Sequence, residues 1–280
     1  VQYMAPGAIP ILLLRLLGMC QILTTAHTAA DIYPNLKLVH FIQRYCVKAF
    51  TCITELAERS FFGSSQLYDE HYPLKKRNHF TIYNALPASL PIIQEPRMAN
   101  RPITIGVVSR LESIKGMDLV VPAFAKVKAI HPDVRLLIVG DGTLRGRMEQ
   151  QVQTSGISDS VEFVGRQPQE ALPQYYDRID ILLMPSRSEG FGLTAIEGMA
   201  RGCVVVASRV GGLPEVVREG EVGLLHESEN IEDLASKLIC LCESPELWRL
   251  CSARAIACVK RFGFDRFSLL FNNLYKRITE

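Results

Sequence analysis

Beyond residue 103, short apolar runs alternate with amphipathic stretches, the rhythm of βαβ units in which a parallel sheet is covered on both faces. Six such runs, bounded by glycine, proline or serine, predict strands at Ile103–Ser109, Arg135–Gly140, Val161–Gly165, Ile181–Ser186, Val204–Ser208 and Gly223–Glu227. Between the first two, Leu119, Val120, Phe124, Val127 and Ile130 recur near a helical period. That helix, from Met117 to Ile130, is expected to stop before His131-Pro132, because a residue ahead of proline avoids helical angles. Three helical patterns follow Ile231 without a strand. The last, Phe264 to Ile278, lines up Phe267, Leu270, Phe271, Leu274 and Ile278 on one face and is expected to pack outside the sheet.

The first hundred residues predict a helix, a strand at Cys20–Thr25, a helix at Leu36–Phe50, a short strand at Thr51–Thr54, a helix at Glu55–Phe62 and a strand at His79–Tyr83. Two or three strands do not finish a doubly wound sheet. The apolar segment Ala8–Gly18 is interrupted by Pro10 and Arg15 well short of the roughly 20 residues a membrane span needs, so it predicts a buried helix leading into a strand. Pro87, Pro91, Pro96 and Pro102 mark an interdomain linker at about residues 85–102. The expected organisation is a partial N-terminal Rossmann-like domain over residues 1–100 and a complete one over 103–262. A helix at 263–280 is expected to pack back on the N-terminal domain.

Composition narrows the classes without naming a partner. The chain has 280 residues, 48% hydrophobic and 21% charged, with net charge +2, the profile of a globular protein and not of a nucleic-acid-coating or disordered chain. Eight cysteines occur with no Cys-x-x-Cys and no Cys/His cluster at zinc spacing, which fits a reduced, cytoplasmic setting. Cys240, Cys251 and Cys258 fall in helical patterns and are expected as small buried hydrophobes.

The candidate chemistry sits at strand ends. In Pro185-Ser186-Arg187-Ser188-Glu189-Gly190-Phe191-Gly192-Leu193-Thr194, a strand ends near Ser186, a glycine-containing turn follows, and a helix starts near Gly192. In an open parallel sheet this loop lies at the carboxyl ends of the strands, where ligands bind. A helix N-terminus there offers amide donors to an anion such as a diphosphate, and Gly190 and Gly192 let the backbone approach closely. Glu189 lies in the loop and Glu197 one turn inside the helix, neither expected in a buried core, with Glu197 alternatively a solvated helix residue. Arg110 and Lys115 follow the first strand of the same domain, a planar fork and a point charge for phosphate oxygens.

These segments resemble glycosyltransferase family 4, retaining enzymes of the GT-B fold that use nucleotide-sugar donors. The most specific part is the Glu-x7-Glu pattern from Glu189 to Glu197 in EGFGLTAIEGMARG, between ILLMPS and VVVAS, with GGLPEVV beyond. The resemblance implies an α/β chain of GT-B type, two Rossmann-like domains facing a cleft, the N-terminal one incomplete. It implies that Arg110 and Lys115 hold the donor diphosphate and that Gly190, Phe191, Gly192, Leu193 and Thr194 contact phosphate and sugar. Glu197 would bond the ribose hydroxyls, and Val164-Gly165-Arg166 would touch the base through its backbone. Glu189 and His27, in Thr24-Thr25-Ala26-His27-Thr28, are implied as the catalytic pair that positions the transferred sugar and stabilises its charge. Ile82-Tyr83-Asn84-Ala85 resembles a Tyr-Asn-Gly segment with alanine at the glycine. The family's first strand and glycine-rich loop have no counterpart, so about 80–100 residues of a family domain are expected to be missing.

The expected activity is transfer of a sugar from a nucleotide-sugar donor to a carbohydrate, lipid-linked or other glycan acceptor, with retention, in polysaccharide or glycoconjugate biosynthesis. No cofactor and no metal are expected, the nucleotide sugar being the substrate, and no nucleic-acid partner. Lys75-Lys76-Arg77 suggests either peripheral contact with anionic lipid at the membrane face or a solvated turn. Three alternatives remain open. One is a non-catalytic nucleotide-sugar-binding or scaffold protein with a truncated first domain; another is a glycosidase using Glu189 and Glu197; the third is an NAD-dependent protein built on Gly140-Asp141-Gly142.

Overall fold

The computed structural model of the protein describes residues 9–29, 35–97 and 102–280. The chain forms two compact units: one holds Val1–Ala85, Glu189–Phe191 and Phe262–Glu280, the other Leu86–Ser188 and Gly192–Arg261.

The first unit is built on a parallel three-stranded sheet, β1 (Leu23–Ala26), β2 (Ala49–Cys52) and β3 (His79–Thr81), paired in that order. Successive side chains of a strand face opposite ways. Ala26, Phe50 and Cys52 therefore share one apolar cluster with Ile11, Val39, Ile42 and Phe61 from α1 (Ile9–Leu16), α2 (Leu36–Tyr45) and α3 (Glu55–Phe62). Leu23, Ala49 and Phe80 face the other way, against Tyr68 and the apolar side of the C-terminal helix α11 (Phe264–Thr279), where Phe271, Leu274 and Ile278 are buried.

Three expectations for this unit need correction. The helix expected to reach Phe50 ends at Tyr45, because the Cys46 amide closes on the Ile42 carbonyl and pairing with β1 draws Ala49 and Phe50 into a strand. Helix α1 buries only Ile11, while Ile9, Leu13 and Leu16 stay exposed, since an eight-residue helix apolar on every side has more such surface than one contact covers. Arg77 is not part of a solvated turn. Its guanidinium binds the fully buried Glu58 carboxylate at 2.7 Å and the His79 carbonyl at 3.0 Å.

Glu58 is satisfied on every side. It also accepts from Thr81 Oγ1 at 2.7 Å and the Gln66 amide at 3.0 Å, and lies 2.7 Å from His79 Nδ1. Burial raises its pKa, yet these bonds outweigh that effect and hold the carboxyl below its ordinary range.

The second unit carries six parallel strands: β4 (Thr104–Val108), β5 (Arg135–Val139), β6 (Val161–Gly165), β7 (Ile181–Met184), β8 (Val204–Ser208) and β9 (Gly223–His226). They lie in the order β6-β5-β4-β7-β8-β9. The order reverses direction between β4 and β7, so the crossover helices leave a crevice beyond the carboxyl ends of these two neighbours. Helix α4 (Met117–Ile130) turns Leu119, Val120, Val121, Phe124 and Val127 into the core, and α9 (Ile231–Glu243) adds Leu234, Leu238 and Leu241. A fully buried side chain of this kind stabilises by about 1.5–3 kcal/mol. Asp180 fixes the entry to β7, its carboxylate accepting from the Thr104 amide at 2.8 Å and its carbonyl from Trp248 Nε1 at 3.2 Å.

The proline-rich stretch after Ala85 packs with this second unit. Ile93 N–H donates to the Ala200 carbonyl at 3.0 Å, Arg201 reaches the Pro91 carbonyl, and Arg97 binds the carbonyls of Tyr176, Asp177 and Ile179. Among the cysteines of the last helices Cys251 is buried, but Cys258 is half-buried and Cys240 exposed, against the expectation for both, because Cys258 lies at the rim of its helix's apolar stripe and Cys240 on the face opposite Leu234, Leu238 and Leu241.

Candidate functional site

Helix α7 (Leu193–Ala200) begins at the crevice beside β4 and β7. Its N-cap is Gly192, with φ 98°, a left-handed conformation that a side chain disfavours. A Cβ at Gly192 would also come within 2.8 Å of Leu213 Cδ2. No side chain caps this helix, so its first-turn amides and positive dipole end face the crevice, suited to an anion.

The loop after β4 runs from Ser109 to Gly116 and carries Arg110, which is exposed, and Lys115, which is half-buried in a 3-10 turn over Ser113–Lys115. Three neighbours hold it. Glu112 accepts from Thr143 through Oγ1 at 2.6 Å and through the backbone amide at 3.1 Å, bonds that keep its carboxyl below the ordinary range. Leu111 exchanges backbone bonds with Asp141 and Leu144 at 2.9 Å. Gly140 and Gly142, considered for a dinucleotide fingerprint, serve this contact: a Cβ on either would strike the Ser109 or Leu111 carbonyl, at 1.8 and 2.5 Å. Gly116, at φ 64°, lies so close to the loop after β7 that a Cβ would fall 1.9 Å from the Pro185 carbonyl oxygen.

Arg187, which the sequence reading left without a role, is engaged within this edge. It pairs with both oxygens of Asp118 at 2.7 and 2.9 Å and with Glu229 at 2.9 Å, and its own amide donates to the Ile114 carbonyl at 2.9 Å. These bonds raise its already high pKa, so the guanidinium stays charged.

Glu197 departs from expectation. It is only 9% exposed and its carboxylate accepts from the Tyr176 hydroxyl at 2.6 Å. Burial raises its pKa, partly offset by that bond. Thr194, three residues earlier, lies on the same helix face. The reason the carboxylate is buried is Tyr176 itself, from α6 (Leu172–Tyr176), fully buried against it. Glu197 and Tyr176 border a cavity of about 110 Å³ whose other walls include Pro87, Gln169 and Leu172.

His27 and Glu189 lie in the first unit. His27 follows β1, half-buried, and burial lowers its pKa, so the ring is neutral at pH 7. Gly190 approaches the His27 carbonyl so closely that a Cβ would come within 2.7 Å. Phe191 packs with Tyr83 and Phe262, ring centroids 5.5–6.0 Å apart. Leu193 is exposed and Thr194 half-buried at the start of α7. Among the described residues, no group of three or more His, Cys, Asp or Glu side chains could hold a metal ion, and no helix is long and apolar enough to cross a membrane.

Residues 91–257, the segment that forms this edge, match the family model of glycosyl transferases group 1. The chain belongs to that family. Curated group 1 relatives include the D-inositol 3-phosphate glycosyltransferase of Segniliparus rotundus, 34% identical over 58% of this chain and 37% of its own length. The N-acetyl-alpha-D-glucosaminyl L-malate synthase of Bacillus anthracis is 34% identical over 60% of this chain and 44% of its own. The chain thus spans less than half the length of these relatives. Among solved structures, a glycosyltransferase from Rickettsia africae superposes with TM-score 0.78 at 21% identity, covering 100% of this chain and 76% of that one. Anabaena HepE, solved with UDP and glucose, gives 0.75 at 19% identity, covering 97% and 75%. These likenesses show the fold, α/β of GT-B type.

Proposed function

We propose that the second unit is the donor-binding half of a glycosyltransferase and that it takes a nucleoside-diphosphate sugar. The observation that carries this reading is the meeting, at one reversal of strand order, of a cationic loop after β4 with an uncapped helix start after β7. Arg110, Lys115 and the amides of Gly192–Thr194 supply positive charge for the diphosphate, and the same groups stabilise the charge that develops on the departing nucleotide. Glu197, held by Tyr176, takes the ribose hydroxyls. Glu189, Gly190 and Phe191 with neutral His27 address the transferred sugar. The Glu-x7-Glu motif supports retention of configuration, since it is the part most specific to the retaining family. Relatives named for inositol phosphate and glucosaminyl malate suggest a small polar or glycan acceptor and a place in glycoconjugate synthesis.

The test is thermal stabilisation of the 280-residue chain by UDP, GDP, ADP and their sugars. A ligand at 100 times its dissociation constant adds about 2.7 kcal/mol when it binds only the folded state. Stabilisation by one nucleotide, lost in Lys115→Ala, is the expected result. Absence of any shift would overturn the donor-site reading.

A further inference from the structure

None of Ser113, Ile114 and Lys115 in the turn that carries Lys115 is buried, and the core holds it only at its two ends, through Leu111 and Met117. Between those ends its course is set by bonds from its neighbours. Glu112 and Thr143 hold it on the β5 side. On the β7 side the holding residue is Arg187, whose Nη1 reaches the Ser113 carbonyl and, at 3.2 Å, the Ser113 hydroxyl, while its main-chain amide takes the Ile114 carbonyl.

All three guanidinium nitrogens are engaged by the protein: Nη1 by Ser113 and Asp118, Nη2 by Asp118 and Glu229, Nε by Glu229. A planar fork with its donors spent in this way orients its neighbours and is not offered to a phosphate. The arrangement is bought with backbone strain, since Glu229, at φ 64°, is the one non-glycine residue of positive φ among those described. The half-buried Asp118 and the exposed Glu229, two carboxylates around one cation, also leave a surplus negative charge beside an edge read as anion-binding. Electrostatics alone would disfavour that placement, whereas holding the turn explains it.

We propose that Arg187 is the positioning residue of this edge, fixing Lys115 toward the crevice by locking the Ser113–Gly116 turn to the loop after β7, with Asp118 and Glu229 orienting its guanidinium. The inference rests on the reading of Lys115 as a diphosphate ligand. Arg187 touches no substrate in this account and acts through the turn.

The experiment is titration calorimetry of the full chain with UDP, GDP and ADP, and with the matching nucleoside of whichever binds most tightly. The variants are Lys115→Ala, Arg187→Lys, Asp118→Asn and the double variant Lys115→Ala/Arg187→Lys, with melting temperatures measured in parallel. Arg187→Lys is expected to weaken the diphosphate about tenfold, a loss of about 1.4 kcal/mol, and to leave the nucleoside unchanged. Asp118→Asn is expected to weaken it too, although removing a negative charge would by itself tighten an anion. In the Lys115→Ala background, Arg187→Lys is expected to cost nothing more. Equal loss for diphosphate and nucleoside, tighter binding by Asp118→Asn, or additive losses in the double variant would each overturn the inference. Unchanged binding in Lys115→Ala would overturn instead the donor-site reading beneath it.

Discussion

The Tyr176 hydroxyl donates to Glu197 at 2.6 Å inside the second unit, joining the short helix α6 to the helix that opens on the crevice. One carboxylate oxygen is thereby committed to the protein, and the side chain is held in a single orientation for a ligand that would use the other.

Burial raises the Glu197 pKa above its unfolded value, so its contribution to stability is fully present below the unfolded value and is lost as pH rises through the folded one. Ionised Glu197 is therefore a cost at neutral pH. Glu197→Gln is expected to fold at least as stably at pH 7 while losing nucleotide affinity. Tyr176→Phe, which strips the donor from a buried carboxylate, should cost about 1–3 kcal/mol at pH 7. Urea denaturation between pH 4 and 8 measures both.

Glu58 behaves in the opposite sense. Its folded pKa lies below the unfolded value, so its contribution is present above that value and is lost as pH falls through the folded one. Glu58→Ala would strand Arg77 and His79 around an empty site and should cost about 3–5 kcal/mol. An acid-unfolding midpoint that stays unchanged in a folded Glu58→Gln variant would contradict the assignment.

Gly116→Ala meets both a left-handed backbone and the Pro185 carbonyl oxygen at 1.9 Å, whereas Gly156→Ala, at φ 67°, meets open space. The control should cost about 1–2 kcal/mol of backbone strain alone. Gly116→Ala should cost clearly more, because the two loops must part. Denaturation midpoints of the pair separate steric from conformational cost.

The six strands of the second unit are legible in the sequence because parallel strands buried on both faces read as unbroken apolar runs. So are the loops that carry Arg110, Lys115 and Gly192, each marked by a strand end. Tyr176 was not, since α6 is five residues long and shows no period, and its partner lies 21 residues away. Arg187 reads like another surface cation beside the motif; only the fold brings Asp118 and Glu229 to it from 69 and 42 residues away. The extent of α1 exposure was hidden for a related reason: an apolar residue indicates what can be buried, and the neighbours decide how much of it is.

The attachment of Leu86–Arg97 to the second unit, through Ile93, Arg97 and the Pro91 carbonyl, sets where homologous chains can be recombined. A crossover at Pro102, where composition changes, would graft foreign residues onto the Ala200 and Ile179 carbonyls and break their bonds. Joining chains between Ala85 and Leu86 keeps that strap with the sheet it grips, so the same second unit could be tried against different first units.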